Sequence, residues 1–288
     1  MYKREWTKEL ELKALDEVYE VTNKKEQDIN HIRKWLLLEP NIRARSDREW
    51  ILNFLRGCKF NIPKTQEKLK YLHMVKTTLP EFYSNRDPLL PEMQELLNRC
   101  ILLPHSTKNE ELMIVRWCNV DTKRVSLINI FKVAFMFLDV AMIESSSLLV
   151  LGYHIMVDLK YFPLSLIKQM SPSVLKKIFC TFLKAYPIRI KGIYIFNVFP
   201  FFSTIYNIVA PLFGEKMVGR MKVYDHFDIE ELCKYISISS VPKEYQGTSD
   251  SIDEIGERWK LHLKSYREWF LEDEQYRSDG SFSEIQNT

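Results

Sequence analysis

The stretch GIYIFNVFPFFSTIYNIVAPLFG, Gly192 to Gly214, carries no charged side chain. It is long enough to cross a bilayer, which takes about 20 apolar residues. Its content argues against a span. Pro200 and Pro211 would interrupt helical bonding, and Asn197, Ser203, Thr204 and Asn207 place polar groups along it. The stretch instead divides in two. GIYIFNV reads as a buried strand, and PFFSTIYNIVAPLF as a helix from Pro200 to near Pro211. On that helix Phe201, Ile205, Ile208 and Leu212 share one side, and Phe202, Val209 and Phe213 widen it. Burying one such side chain is worth about 1.5–3 kcal/mol, so this face does not stay in water without a reason. A core helix would account for it. Yet Arg189 and Lys191 precede the stretch and Lys216 and Arg220 follow it, and an apolar helix framed by bases also suits reversible contact with a membrane.

Outward from this stretch, ELMIVRWCNV and GYHIMVDL are two further apolar runs rich in Val and Ile, as in buried strands. Helical patterns separate the runs, from Ile130 to Glu144 and from Ser171 to Ala185. The second starts with Ser171 as N-cap and Pro172 at the first helical position. Strand and helix in alternation imply an α/β fold with a mostly parallel sheet. Residues 1–90 read differently, as a helical module. Trp6, Leu10, Leu12, Leu15 and Val18 make one apolar stripe, and SDREWILNFL opens with a capping box of Ser46 and Glu49. The proline-containing SNRDPLLPEM reads as a linker. We therefore divide the chain into a helical module (1–90), an α/β domain (91–247) and an acidic helix and tail (248–288), with the last dozen residues expected to be disordered.

Of 288 residues, 41 are Lys or Arg and 38 are Asp or Glu, so net charge alone says little. Its distribution says more. From Lys160 to Lys222 there are ten basic residues and one acid, Glu215, whereas from Asp225 onward fifteen acids face seven bases. A basic apolar segment suits nucleic acid or an anionic membrane. Nucleic acid would want exposed stacking aromatics between the bases; here the aromatics fall on an apolar helical face, which favours lipid. The cysteines Cys58, Cys100, Cys118, Cys180 and Cys233 are odd in number and form no CxxC, as for reduced thiols. MYKREWTKEL lacks the apolar core of a signal peptide, so a cytoplasmic protein is expected.

No catalytic constellation emerges. Ser145, Ser146 and Ser147 lack a GxSxG frame. His31, His73, His105, His154, His226 and His262 do not pair at metal-ligand spacing, and HFD at 226–228 reads as a surface turn. GEKMVG is followed by no GK[ST], so it is not a phosphate-binding loop. The expectation is no enzyme, no cofactor and no metal.

Three segments resemble the CRAL-TRIO (Sec14-like) lipid-binding family. ILNFLRGCKFNIPKTQEKL is similar to its helical N-terminal module. The run from IMVDLKYFPL to FGEKMVGRM is similar to its pocket and gate region. VPKEYQGT resembles its closing Pro-x-x-Tyr-Gly-Gly, with Gln246 at the first glycine. The resemblance covers nearly the whole chain and is nearest the tocopherol-transfer and retinaldehyde-binding-like branch, insect-type members especially. It implies a parallel-rich sheet flooring a deep apolar pocket, with the helix near Pro200 as its gate: Phe201, Phe202, Ile205, Ile208, Val209, Leu212 and Phe213. With strand alternation it nominates the pocket wall as Phe131, Ala134, Phe135, Leu138, Tyr153, Ile155, Val157, Phe179, Phe182, Leu183, Tyr186, Ile193, Ile195, Ile205, Val209 and Leu212. Tyr153, His154 and Tyr186 could offer a headgroup polar contacts. Ala134 and Leu138 stand where the tocopherol-binding relative has hydroxyls, which disfavours tocopherol itself. The resemblance also implies phosphoinositide binding by Arg189, Lys191 and Lys216, to which we add Arg220, while Cys58 occupies a fourth basic position of the family. The function implied is transfer of a small hydrophobic ligand by a monomer that docks reversibly on phosphoinositide membranes. Phosphatidylinositol transfer and a lipid-sensing adaptor are the alternatives.

Overall fold

A computed structural model describes residues 5–279 except 109, 119, 120, 123 and 146. The polypeptide begins with helices α1 (Lys8–Val18), α2 (Thr22–Leu38), α3 (Arg48–Gly57), α4 (Ile62–Thr78), α5 (Pro80–Tyr83) and α6 (Pro91–Asn98). Each apolar stripe sets its partner. α3 is buried on most sides by Trp50, Ile51, Leu52, Phe54 and Leu55, and so sits in the centre of the module. Its N-cap is Asp47 rather than Ser46, and neither the cap bond nor the expected capping box forms. The carbonyl of Ser46 instead accepts from Arg33 Nε at 3.2 Å. On α1 the buried stripe is Leu10, Ala14 and Val18, while Leu12 and Leu15 face solvent. The stripe expected there is thus rotated.

The sheet has strand order β1 (Leu102–Ser106), β2 (Glu111–Arg116), β3 (Tyr153–Asp158), β4 (Ile190–Phe196) and β5 (Met221–Val223). β1 is antiparallel to β2, and β2 to β5 are parallel. The register aligns Met113, Ile155, Ile193 and Met221 in one row and Val115, Val157 and Ile195 in the next. Residues two apart share a face, so both rows point the same way. Leu112, Ile114, Met156 and Tyr194 on the other face are also buried. A sheet covered on both sides explains why these strands read as continuous apolar runs.

The parallel strands are joined by helices. α7 (Leu127–Glu144) and the short α8 (Leu148–Leu151) connect β2 to β3; α9 (Pro172–Cys180), extended by a π turn at Thr181–Ala185, connects β3 to β4; α10 (Phe202–Phe213) and α11 (Glu215–Val218) connect β4 to β5. Ser126 caps α7 by accepting from Asn129 N at 3.1 Å, so α7 starts three residues before the expected Ile130. Ser171 caps α9 as expected. α12 (Ile229–Cys233), α13 (Ile252–Ser265) and α14 (Arg267–Asp273) follow β5. The tail expected to be one helix is two, broken at Tyr266. One apolar core runs from Ile29 to Phe270, through all three segments of the sequence division. Part of the tail expected to be disordered is paired: Ser278 N donates to His73 O at 3.2 Å and Arg43 N to Arg277 O at 2.9 Å. From residue 280 onward it lies outside the described residues, as does Ser146.

Candidate binding cavity

The charge-free stretch breaks at Asn197. This residue takes a left-handed conformation (φ 56°), donates to Asp158 Oδ1 at 2.8 Å and accepts from Phe227 N at 3.1 Å. A left-handed residue ends a strand, and Asn tolerates that conformation better than most. Phe202 N then donates to Phe199 O at 2.9 Å, which starts α10 two residues later than Pro200. The chain thus turns back over the sheet.

Between α10 and the sheet lies a cavity of about 290 Å³. Its floor is made by the two strand rows together with Tyr153. One wall is the α7 stripe Leu127, Ile130, Phe131, Ala134, Phe135 and Leu138, spaced i, i+3, i+4, i+7, i+8 and i+11. Another is Ile178, Phe179 and Phe182, and the roof is Phe202, Ile205, Tyr206, Val209, Ala210 and Phe213. The surface facing the space is apolar. A cavity of this kind stays dry and takes an apolar occupant, and it turns no base, nucleophile or carboxylate toward such a molecule. The roof is held lightly: Ala210 is the one residue of α10 that is buried, and it keeps 9% exposure, although Phe213 meets Phe179 edge-on at 5.3 Å. A broader depression along Val223–Glu231 is open to solvent and rimmed by acids, so it encloses nothing.

At the start of β4, where α10 ends and β5 begins, basic residues gather. Arg189 donates from Nη1 to the carbonyls of Leu149 (3.0 Å) and Val150 (2.6 Å), and from Nη2 to Glu17 at 2.6 Å. Lys191 Nζ donates to the other Glu17 oxygen at 3.0 Å. Hydrogen bonds from Lys191 and then Arg189 pull the Glu17 carboxyl down to about 2. Arg220 donates to the Ile190 carbonyl, and Lys216 stands exposed on α11. Cys58 is buried and its thiol is pushed up by that burial; the neighbouring Lys59 lies over the Tyr19 ring.

Residues 99–247, more than half of the chain, match the model of the CRAL/TRIO domain family. This chain belongs to the CRAL/TRIO family. Residues 21–93 match a second model, the Pinta-like UBA domain. The chain is similar to an alpha-tocopherol transfer protein-like protein of Mus musculus, with 26% identity over 93% of this chain and 77% of the relative. It is also similar to Clavesin-2 of Homo sapiens, with 25% identity over 82% and 72%. The crystal structure of Sfh5 shares the fold, with a TM-score of 0.52 at 12% identity over 88% of this chain and 98% of that one.

Of the positions nominated for the wall of the CRAL/TRIO cavity, the structure places all but Leu183, Tyr186 and Leu212 around it. Leu183 is turned away by the π turn, whose end is fixed by Lys68 Nζ donating to the carbonyls of Leu183 (2.7 Å), Lys184 (3.1 Å) and Tyr186 (2.8 Å). Tyr186 lies one layer deeper, stacked on Phe135 at 5.5 Å with its hydroxyl 3.4 Å from that of Tyr83. His154 is on the opposite face of the sheet, with Nδ1 3.0 Å from the Tyr194 hydroxyl. Tyr186 and His154 therefore do not line the cavity, whereas Tyr153 does. The gate face differs from the one expected. Phe202, Ile205, Val209 and Phe213 look inward, Ile208 and Leu212 do not line the cavity, and Phe201 precedes the helix and is 63% exposed. Met113 and Val115 were missed, although they alternate with Leu112 and Ile114 as Ile155 and Val157 alternate with their neighbours. Tyr206 and Ala210 were missed with the helix phase. Met221, in a strand of three residues, gave no signal.

Proposed function

We propose that this chain is a non-enzymatic carrier of a small, largely apolar molecule, which it takes up and releases by moving α10 at a phosphoinositide-containing membrane surface. The observation that carries this reading is the apolar cavity whose roof is a lightly held amphipathic helix. A lipid moving from a bilayer to such a cavity exchanges one apolar medium for another, so its equilibrium cost is small and the barrier is the passage through water. A roof that presents Phe202, Ile205, Val209 and Phe213 to the membrane as it opens lowers that barrier. About 290 Å³ lies at the low end for small-molecule sites, which favours a ligand with one ring system or one chain over a two-chain phospholipid. The relative named for alpha-tocopherol transfer points to the same ligand class.

Arg189, Lys191, Lys216 and Arg220 form the docking surface for an anionic headgroup in this reading, each worth about 1 kcal/mol near an anionic membrane. The protein acts as a cytoplasmic monomer, peripheral to the membrane, with the helical module at 1–90, the cavity domain at 91–247 and the acidic segment at 248–288. No helix among the described residues is long and apolar enough to cross a bilayer.

The test is native mass spectrometry of the purified protein, extraction of what co-purifies, and transfer of that compound between vesicles. A stoichiometric retinoid, tocopherol, carotenoid or sterol that moves faster to phosphoinositide vesicles supports the carrier. A bound phospholipid replaces it with phospholipid transfer. An empty protein that accepts no apolar probe refutes it in favour of an adaptor.

A further inference from the structure

Glu17 spans the two cations that the docking reading assigns to a headgroup, with one carboxylate oxygen on each (2.6 and 3.0 Å). Arg189 does not depend on Glu17 for its aim, because Nη1 is fixed by the Leu149 and Val150 carbonyls. Beneath the pair the backbone passes at Gly152 (φ 78°), where an added Cβ would come within 3.0 Å of Arg189 O and 3.2 Å of the Lys191 side chain. The helix that carries Glu17 is weakly attached. Leu10, Ala14 and Val18 meet Val150 and Leu151 in a cluster separate from the main core, and its other side leaves Leu12 and Leu15 in water. The chain just past its C-terminal end is pinned, for Glu20 forms a buried pair with Arg56 at 2.7 Å. Between the two lies Tyr19 in a left-handed conformation (φ 62°), a natural pivot.

We infer that α1 is a hinged plug: the Glu17 carboxylate holds the place of a phosphate on Arg189 and Lys191, and an anionic lipid headgroup must displace it to dock. This rests on the docking reading and adds its regulation. A helix with exposed apolar residues would then be released beside the membrane at the moment of docking.

The test measures binding to phosphatidylcholine vesicles with and without phosphatidylinositol bisphosphate. Glu17→Gln is expected to bind the phosphoinositide vesicles roughly three- to tenfold more tightly, the size of effect expected for removing one partly exposed carboxylate. Glu9→Gln removes the same charge from the same helix, where Glu9 pairs with Lys13, and is expected to match the wild type. Arg189→Gln with Lys191→Gln should abolish the gain. In the wild type, amide exchange across α1 should accelerate when these vesicles, but not phosphatidylcholine alone, are added. If soluble inositol bisphosphate alone also frees α1, the plug stands and the recognised group is the phosphate rather than its membrane. Equal gains for Glu17→Gln and Glu9→Gln, no gain for either, or an α1 that stays protected in the bound state would overturn the plug while leaving the docking surface intact. Undiminished binding by the Arg189/Lys191 double variant would overturn both.

Discussion

Filling the cavity from within separates ligand binding from folding. Ala134 lies on the wall stripe of α7 and is 6% exposed. A dry cavity of about 150 Å³ is enough for one benzene ring, so a phenyl ring at this position occupies roughly half of the 290 Å³ available. Overpacking a filled core costs about 1–3 kcal/mol, but here the ring enters existing space and buries new apolar surface. Ala134→Phe is therefore expected to leave stability unchanged or raise it by about 1 kcal/mol, an increase of roughly 2–4 °C in Tm. Uptake of an apolar fluorescent probe such as retinol should fall at least tenfold. Thr204→Phe, on the solvent side of α10, is the control and should bind the probe as the wild type does. Thermal denaturation and probe titration of the three proteins decide the matter. A stable Ala134→Phe protein that binds the probe with unchanged affinity would show that the ligand lies elsewhere. A protein that unfolds would show that the space is not there to be filled.

Other consequences follow from groups outside the cavity. Asp273 is buried against Arg45 Nε (3.1 Å), Lys76 Nζ (2.7 Å) and Arg86; Asp273→Ala strands the buried Lys76, leaves Arg86 to Asp139 and Arg45 to Glu272, and should cost about 3–5 kcal/mol, read as a Tm fall on the order of 10 °C, and a loss under 1 kcal/mol would contradict the burial. Burial lowers His73 and His105 to about 4 each, so below the usual value near 6.5 the unfolded chain takes up protons that the folded chain refuses. Stability should accordingly drain away as pH falls from about 6.5 to 4, by up to about 3 kcal/mol for each histidine, and His105→Gln should flatten part of that slope in denaturant titrations at successive pH values. Gln246 is left-handed (φ 62°) where the family motif has glycine; Gln246→Gly should stabilise by about 0.5–1 kcal/mol, whereas Gly247→Ala should destabilise, because its Cβ would lie 1.9 Å from the Val241 carbonyl. Urea midpoints of the two variants should move in opposite directions.

The elements legible in the sequence were those whose pattern is local. β3 and β4 announce themselves by Val and Ile between turns, and α9 by Ser171 and Pro172. β1 and β5 did not: PHS interrupts the apolar character of the first, and the second is MKV with Lys222 and Val223 exposed, held by pairing to β4 rather than by its own composition. Ion pairs between distant segments leave no local trace either. Glu17 meets Arg189 across 172 positions, and Arg86 meets Asp273 across 187.

The phase of α10 failed for another reason. In a stretch where nearly every residue is apolar, periodicity assigns no unique inward face, because several rotations bury similar surface. Nor can an apolar stripe say what it faces. Ile205 and Val209 would read the same against packed side chains as against an enclosed space. A cavity arises only when α7, α9, α10 and the sheet leave a volume that none of their side chains fills, and that is a property of four elements together. Sequence could therefore nominate about half of the wall, since a wall is an apolar face like any other, but the space between those faces belongs to the assembled fold.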